Sequence, residues 1–489
     1  MKLSEIKDKK VTVVGLARSG IGAANLLSEL GARVTVTDVK SEEELEGVAQ
    51  RLDKSVALAL GSHPEDLFVS ADMVVISPGV PRDISPISRA IEKNVPVMGE
   101  LELAYRFISG EADIRKHSNK DTTKFLAITG TNGKSTTTAL LDFIMKRGGF
   151  RTLLGGNIGN ALTEEVLKMV RNHGSSPSDT CSPPDFIVAE VSSFQLESIR
   201  DFKPKGAAIL NIAPDHLDRY HSLKEYASAK ARIFENQDAD DFAVMNYDDP
   251  ETMRLYESRF KTRKMESPEV YFFSRHREVE GVFFKDGMLY CSLPGILGRK
   301  SPLPIIKGEE IQIKGVHNLE NAMAASVMSL LAGCRVEAVV DVLKEFSGLE
   351  HRLEFVRELK GVEYYNDSKG TNVSAVVKSL ESFSRPVILI AGGRDKAGDF
   401  SPMRRLVREK VKALILIGEA MVKIRKALGD ETETIEARDL KEAVHVAHRL
   451  AVMGDVVLLS PACASFDMFL DFEDRGRQFK KLVWEIENG

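Results

Sequence analysis

Apolar residues in this chain fall into short unbroken runs, separated by longer stretches in which they recur every three or four positions. The runs are too short for helices and read as buried strands, and the recurring pattern reads as amphipathic helices packed over them. Val11–Val14 is such a strand, followed by the turn Gly15-Leu-Ala-Arg-Ser-Gly20-Ile-Gly22 and a helix whose inner face carries Ala23, Leu26, Leu27 and Leu30. Gly31 ends that helix, Val34–Val36 is a second strand closed by Asp38, and Met73–Ile76 is another, ending in Ser77-Pro-Gly-Val-Pro81. The alternation returns at Phe125–Ile128, Phe186–Ala189, Ala207–Ile212 and Phe242–Met245. It returns again at the runs beginning Val387, Ala413 and Asp455, with a helical pattern from Leu440 to Leu450. Between them, Val270–Phe273, Val282–Phe284 and Met288–Cys291 read as short β segments split by glycine and charged turns. Alternating strands and helices predict parallel sheets with helices on both faces.

Two stretches break the pattern. Residues 109–124 are polar and charged without periodicity and read as a linker, and residues 172–184, rich in Ser and Pro, read as a mobile surface loop. A turn at Ser347–Leu353 follows the helical stretch Val336–Phe346. The expected fold class is α/β in three domains. A Rossmann-like domain spans 1–115, a central P-loop ATPase-type parallel sheet with added β segments spans 116–348, and a Rossmann-like α/β domain spans 349–489.

The stretch Phe125-Leu-Ala-Ile-Thr-Gly-Thr-Asn-Gly-Lys-Ser135 joins a strand to a helix through Gly130 and Gly133. Glycines there let backbone N–H groups curl around an anion, and the helix N-terminus adds positive potential. Lys134 would reach terminal phosphates and the Ser135 hydroxyl would hold Mg²⁺. The usual phosphate loop has a glycine where this chain has Ile128. An ordinary corner with a chance Gly-Lys-Ser is the plain alternative, and the small polar Thr129, Thr131 and Ser135 at one turn speak against it. The first βαβ unit, with Asp38 about twenty positions after its glycines, has the form of a dinucleotide fingerprint. Ala17 replaces the glycine that lets backbone approach a pyrophosphate, so another diphosphate is favoured over NAD.

Further on, Glu190 ends a core strand beside the phosphate loop, where such sheets hold Mg²⁺. His216, in Ala213-Pro-Asp-His216, is either a ligand or a satisfied loop histidine. Lys230 shares a helical stripe with Tyr226, Ile233 and Phe234. Its segment favours a lysine laid along apolar surface with its amine in water, against a desolvated amine of lowered pKa.

Composition narrows the class. With 489 residues, 43% hydrophobic and 28% charged, the chain suits about three globular domains. A net charge of −5 gives no general attraction to nucleic acid. Four scattered cysteines, with no C-x-x-C, exclude a disulfide framework or zinc ribbon. No apolar run is long enough for a membrane span, and a cytoplasmic location is expected.

In order along the chain, Gly130-Thr-Asn-Gly-Lys-Ser135, Glu190-Val-Ser-Ser-Phe-Gln195, Asp215-His216, Lys230, His317-Asn318 with Asn321, His351-Arg352 and Asn366-Asp-Ser-Lys369 resemble the motifs of the Mur ligase family of peptidoglycan synthesis. The segment Ser460-Pro-Ala-Cys-Ala-Ser-Phe-Asp467 resembles the branch that adds D-glutamate, and the Asp-Asn-Pro-Arg motif of the diaminopimelate-adding branch is absent. The resemblance implies ATP-dependent ligation through an acyl phosphate, releasing ADP, with UDP-N-acetylmuramoyl-L-alanine and D-glutamate as small-molecule substrates. It implies Lys134, Glu190, His216 and Lys230 as catalytic residues. Mg²⁺ would be held by Ser135, Glu190, His216 and Lys230, the last as a carbamate formed from CO₂, which reverses the segment-level choice for that lysine. ATP would be held by Gly130, Thr131, Asn132, Gly133, Lys134, Ser135, Thr136, Asn321, Arg352 and Asp367. The UDP-substrate would meet Gly15, Leu16, Asp38, Ser77, Gly79 and Asn157. D-Glutamate would meet Lys369, Thr371, Lys396, Ser465 and Phe472. A monomer is expected, with no nucleic-acid partner and a third domain that closes near His351-Arg352. Competing expectations are a member adding another amino acid, such as L-alanine, and a non-catalytic nucleotide-dependent regulator.

Overall fold

A computed structural model describes residues 5–114, 123–172, 183–216, 219–261, 267–293, 302–395 and 398–486. The first sheet contains β1 (Lys10–Val14), β2 (Arg33–Asp38), β3 (Ala57–Leu60), β4 (Met73–Ile76) and β5 (Val97–Gly99), all parallel in the order β3-β2-β1-β4-β5. Strand order reverses between β1 and β4, so a crevice opens at their carboxyl ends, beside Gly15 and Ser77.

The central sheet contains β6 (Lys124–Thr129), β7 (Thr152–Gly156), β8 (Phe186–Glu190), β9 (Gly206–Ile209), β10 (Phe242–Asn246) and β11 (Glu269–Ser274). It continues with β12 (Gly281–Lys285), β13 (Met288–Ser292) and β14 (Leu303–Lys307). The spatial order is β14-β13-β12-β11-β10-β9-β6-β8-β7, a parallel body extended at one edge by β13 and β14, each antiparallel to the strand before it. Glu190 pairs with Ile128 on one side and Gly156 on the other, which sets its carboxylate beside the start of the phosphate loop.

The third sheet contains β15 (Glu354–Leu359), β16 (Val362–Asn366), β17 (Val387–Gly392), β18 (Val411–Ile417), β19 (Glu433–Glu436) and β20 (Val456–Leu459), in the order β15-β16-β20-β17-β18-β19. It is parallel except for β15, which forms a hairpin with β16 through Lys360 and Gly361. Both turn residues have positive φ (52° and 77°), the geometry of a two-residue turn matched to strand twist.

The structure corrects three local expectations. The helix Glu100–Ile114 runs into the predicted linker as far as Ile114. Its buried Leu101, Leu103, Ala104, Phe107 and Ile108 outweigh the roughly 1 kcal/mol that an interior glycine such as Gly110 costs. The stretch Leu153-Leu-Gly-Gly-Asn-Ile-Gly159, whose glycines read as a second glycine-rich turn, begins as strand β7, and Gly156 (φ 101°) lies where a Cβ would strike the Glu190 carbonyl. Ala207–Ile212 is a strand only to Ile209, because Leu210 and Asn211 turn toward the phosphate loop. Most of the Ser/Pro-rich stretch, 173–182, lies outside the described residues.

One continuous apolar cluster joins the first domain to a face of the central sheet, with Leu101, Phe107, Phe125, Ile187 and Phe202 among its members. Tyr105, Phe125 and Phe202 meet edge to face at 5.4–5.7 Å between centroids. Beside them, Glu102 is fully buried and accepts from the backbone N–H groups of Arg200, Asp201 and Phe202 at 2.9–3.1 Å. The third sheet has its own apolar layers on its two faces. Among the described residues, no helix is long and apolar enough to cross a membrane.

Candidate active site

The carboxyl ends of β6, β8 and β9 face the carboxyl end of β16 across a cleft lined by Thr131, Gly133, Lys134, Glu190, His216, Asn321, Arg352, Asp367 and Lys369, among others. The phosphate loop starts only at Gly130, because Ile128 is still strand and its carbonyl accepts from Val191 N at 2.8 Å. This is why the glycine of the longer loop pattern has no place here. Gly133 caps the helix Lys134–Arg147 in the left-handed region (φ 83°), with no side-chain cap over the N-terminus. A Cβ on Gly133 would fall on Asn321 Oδ1. Gly133→Ala is therefore expected to raise the KM for ATP by about tenfold or more and, because the left-handed backbone and the buried Asn321 leave no room for a Cβ, to lower the melting temperature as well, changes that steady-state kinetics and calorimetry read directly.

Lys134 Nζ donates to the carbonyls of Gly130 and Thr131, both at 2.8 Å. Lys230 Nζ donates to the same Gly130 carbonyl at 2.9 Å and lies 4.4 Å from the Tyr226 ring centre. Only 1% of Lys230 is exposed, so its amine does not reach water. Burial, and next the charge of Lys134, push its pKa well below the ordinary 10.5.

Burial alone would raise the pKa of Glu190, but Lys369 and Lys134 beside it hold the carboxyl below its ordinary value. Its Oε1 accepts from Asn157 Nδ2 at 2.7 Å, and its buried Oε2 has no hydrogen-bond partner. The Ser135 hydroxyl, also fully buried, accepts from Arg352 Nη2 and Lys369 Nζ, each at 3.0 Å. The third domain is thus docked on the phosphate loop. Asn132 Nδ2 to Ser374 Oγ (3.1 Å), Asn372 Nδ2 to Asp215 Oδ2 (3.2 Å) and Lys378 Nζ to Glu320 Oε2 (3.0 Å) complete the contact. His351 (φ 64°) and Leu353 (φ 44°) flank Arg352 in the left-handed region, a tight bend between the domains.

An orphaned buried carboxylate oxygen close to a buried hydroxyl suits a hard cation such as Mg²⁺, which takes one or two carboxylates and completes its shell with water and phosphate oxygens. Among the described residues, no three His, Cys, Asp or Glu side chains form a ready cation cage. His216 lines the same cleft, with φ 54° and its ring 4.8 Å from that of Phe194.

The other predicted residues divide among three places. Asn321 and Asp367 line the cleft, where Asn321 accepts from Thr137 Oγ1 at 3.2 Å and burial pushes Asp367 up to about 6. Gly15, Leu16, Asp38 and Ser77 gather at the first-domain crevice. There Ser77 Oγ donates to Gly15 O (2.8 Å) and Leu16 N to Asp38 Oδ2 (2.6 Å). Gly79 follows in the same loop, with open space where a Cβ would project. Asn157 lies apart from these, in the central cleft on Glu190. Lys369, Thr371 and Phe472 line the third-domain wall, with Lys369 Nζ 4.8 Å from the Phe472 ring centre. Ser465 is buried in the loop after β20 and Lys396 lies outside the described residues.

Some neighbours escaped the sequence. Asn211 grips the phosphate loop, accepting from Asn132 N (2.9 Å) and donating to Asn132 O (3.1 Å). Glu320, beside Asn321 on the helix Val316–Leu331, binds Arg275 Nε at 2.8 Å as well as Lys378. Arg18, on the first turn after Gly15-Leu-Ala, donates to Gly159 O at 2.5 Å. A polar residue just past a strand end was the available signal for Asn211; for the Glu320–Lys378 pair there was none.

Comparison with known proteins covers each part of the chain. Residues 9–99 match the Mur ligase MurD-like N-terminal domain, 128–329 the Mur ligase middle domain and 351–463 the Mur ligase glutamate ligase domain. The UDP-N-acetylmuramoylalanine--D-glutamate ligase of Geotalea daltonii is 46% identical over 99% of both chains. That of Thermoanaerobacter pseudethanolicus is 44% identical over 99% of both. Among solved structures, the UDP-N-acetylmuramate-alanine ligase of Thermotoga maritima shares the fold with a TM-score of 0.57, at 18% identity, over 97% of this chain and 99% of that one. The MurF ligase of the same organism, in complex with ADP, gives 0.58 at 14% identity over 92% and 95%.

Proposed function

Because the chain belongs to the Mur ligase family along nearly its whole length, we propose that it adds D-glutamate to UDP-N-acetylmuramoyl-L-alanine at the cost of ATP, forming ADP and phosphate, in the cytoplasmic assembly of peptidoglycan precursors. The observation that carries this beyond the family is the meeting of a phosphate loop from one domain with two cations from another at the Ser135 hydroxyl.

In this reading residues 1–115 hold the UDP-sugar, 116–348 hold ATP, and 349–489 bring the incoming amino acid. The carboxylate of the UDP-substrate attacks the γ-phosphorus of ATP, the bond to the β-phosphate oxygen breaks, and ADP leaves. The amine of D-glutamate then attacks the acyl carbon and phosphate departs, which forms the amide. Two anions must approach each other in the first step, so neutralising charge is the main task of the protein. Lys134 exchanges its loop carbonyls for the terminal phosphates, and Arg352 moves from Ser135 onto the same oxygens. Lys369, whose pKa burial lowers to about 8, pairs with a carboxylate of the amino acid against the face of Phe472. Ser135, Glu190, His216 and a carbamylated Lys230 would hold Mg²⁺, which supplies further neutralisation of the phosphates.

Phosphate release from ATP with UDP-N-acetylmuramoyl-L-alanine and Mg²⁺, scanned over a panel of amino acids, tests the reading. Release dependent on D-glutamate is the expected result. Release with L-alanine instead would keep the family and discard the assigned amino acid. ATP binding without release under any combination would favour a regulator.

A further inference from the structure

Among the described residues, one of the largest fully buried side chains outside the phosphate-loop chemistry is a cation. Arg475, on the helix Phe472–Glu485, has no exposed surface, and its hydrogen bonds go to neutral oxygens of two loops. Its Nε donates to Ser368 Oγ at 2.9 Å and its Nη2 to Ser368 O at 2.8 Å, on the loop after β16. On the loop after β20, Nη1 reaches the carbonyls of Cys463 (3.3 Å) and Ala464 (3.4 Å), and Nη2 also reaches Cys463 O (3.3 Å). Ser368 Oγ in turn donates to Phe472 O at 2.8 Å, which ties the start of the helix into the same knot.

Three of the four tethered residues adjoin, or are themselves, residues assigned to the incoming amino acid. Ser368 precedes Lys369, Ala464 precedes Ser465, and Phe472 carries the ring beneath the Lys369 amine. A desolvated guanidinium is costly to keep, and burial pushes its pKa down to about 10. A planar fork of five donors can bridge two loops at fixed spacing, whereas a lysine offers one compact ammonium.

We propose that Arg475 is a positioning residue that sets the spacing between Lys369 and Ser465, and so the fit of the pocket to the amino-acid substrate. This rests on the assignment of the third-domain pocket to the incoming amino acid. Arg475 acts through the two loops and does not touch substrate.

The test is Arg475→Lys, which keeps the charge and removes the fork, with Ser368→Ala as a milder companion should the first variant fold poorly. The expected result is a split. The KM for D-glutamate rises about thirtyfold for Arg475→Lys and about fivefold for Ser368→Ala, while the KM for ATP and for UDP-N-acetylmuramoyl-L-alanine stays within twofold. Unchanged constants for D-glutamate in both variants would overturn the proposal. So would parallel rises for all three substrates with a lowered melting temperature, since that reports general loosening. If the unaltered enzyme turns over a different amino acid, the D-glutamate reading fails separately. The same split, or its absence, on that amino acid then decides the role of Arg475.

Discussion

Replacing Lys230 by alanine is expected to lower kcat by about a thousandfold, and Lys230→Arg should be as inactive although it restores a cation. The reasoning starts from charge. Lys134 and Lys230 donate to one carbonyl, that of Gly130, at 2.8 and 2.9 Å, so two ammonium groups there would repel each other at short range out of water. Burial and Lys134 together favour the uncharged amine of Lys230. A neutral amine adds CO₂ and releases a proton, which turns the uncharged Lys230 amine into an anion beside Lys134. The sign follows: lower pH reprotonates the amine and removes the carbamate, so activity should fall on the acid side and recover with added bicarbonate. Arginine stays protonated and cannot form the carbamate. A carbonyl signal from the protein in ¹³C-bicarbonate, absent in Lys230→Ala, would identify the group. Wild-type turnover by Lys230→Arg would sink the idea.

Glu190→Gln should raise the Mg²⁺ concentration needed for half-maximal phosphate release at least about tenfold and lower kcat by about a hundredfold or more. Glutamine keeps an acceptor for Asn157 Nδ2 but puts a neutral amide where the unpartnered Oε2 now lies. It also leaves Lys134, Lys369 and Arg352 without the carboxylate whose charge opposes theirs. Mn²⁺ binding, followed by its paramagnetic signal, should weaken in parallel. An unaltered Mg²⁺ profile would remove Glu190 from the metal's company and leave it as a partner of Asn157.

The strands of the parallel sheets were legible because buried strands are runs of apolar residues, and the phosphate loop because glycine and small hydroxyl residues cluster at one turn. The hairpin at Lys360-Gly361 was legible in principle, since a two-residue turn with glycine between alternating stretches has a known signature. The stronger parallel pattern around it masks that signature. The helix through Ser109 and Gly110 was not legible, because its stability comes from residues on another domain. Lys230 shows the limit most clearly. Its stripe of Tyr226, Ile233 and Phe234 fits a snorkelling lysine equally well, and only the fold brings Lys134 and Gly130, about a hundred positions away, against its amine. Arg475 likewise reads as an ordinary surface arginine in a charged helix until two distant loops close over it.

The contrast between the two domain junctions bears on what happens between turnovers. The first junction is a shared apolar core with Glu102 capped by three backbone groups, whereas the contacts joining the third domain at the cleft are polar: Ser374 on Asn132, Asn372 on Asp215, Lys378 on Glu320. Separating the third domain would hand those groups to water, which satisfies them almost as well as they satisfy each other. Opening at these contacts would therefore expose polar groups. A third domain that opens there to shed ADP, phosphate and product would do so repeatedly without those surfaces becoming adhesive to neighbours in a crowded cell.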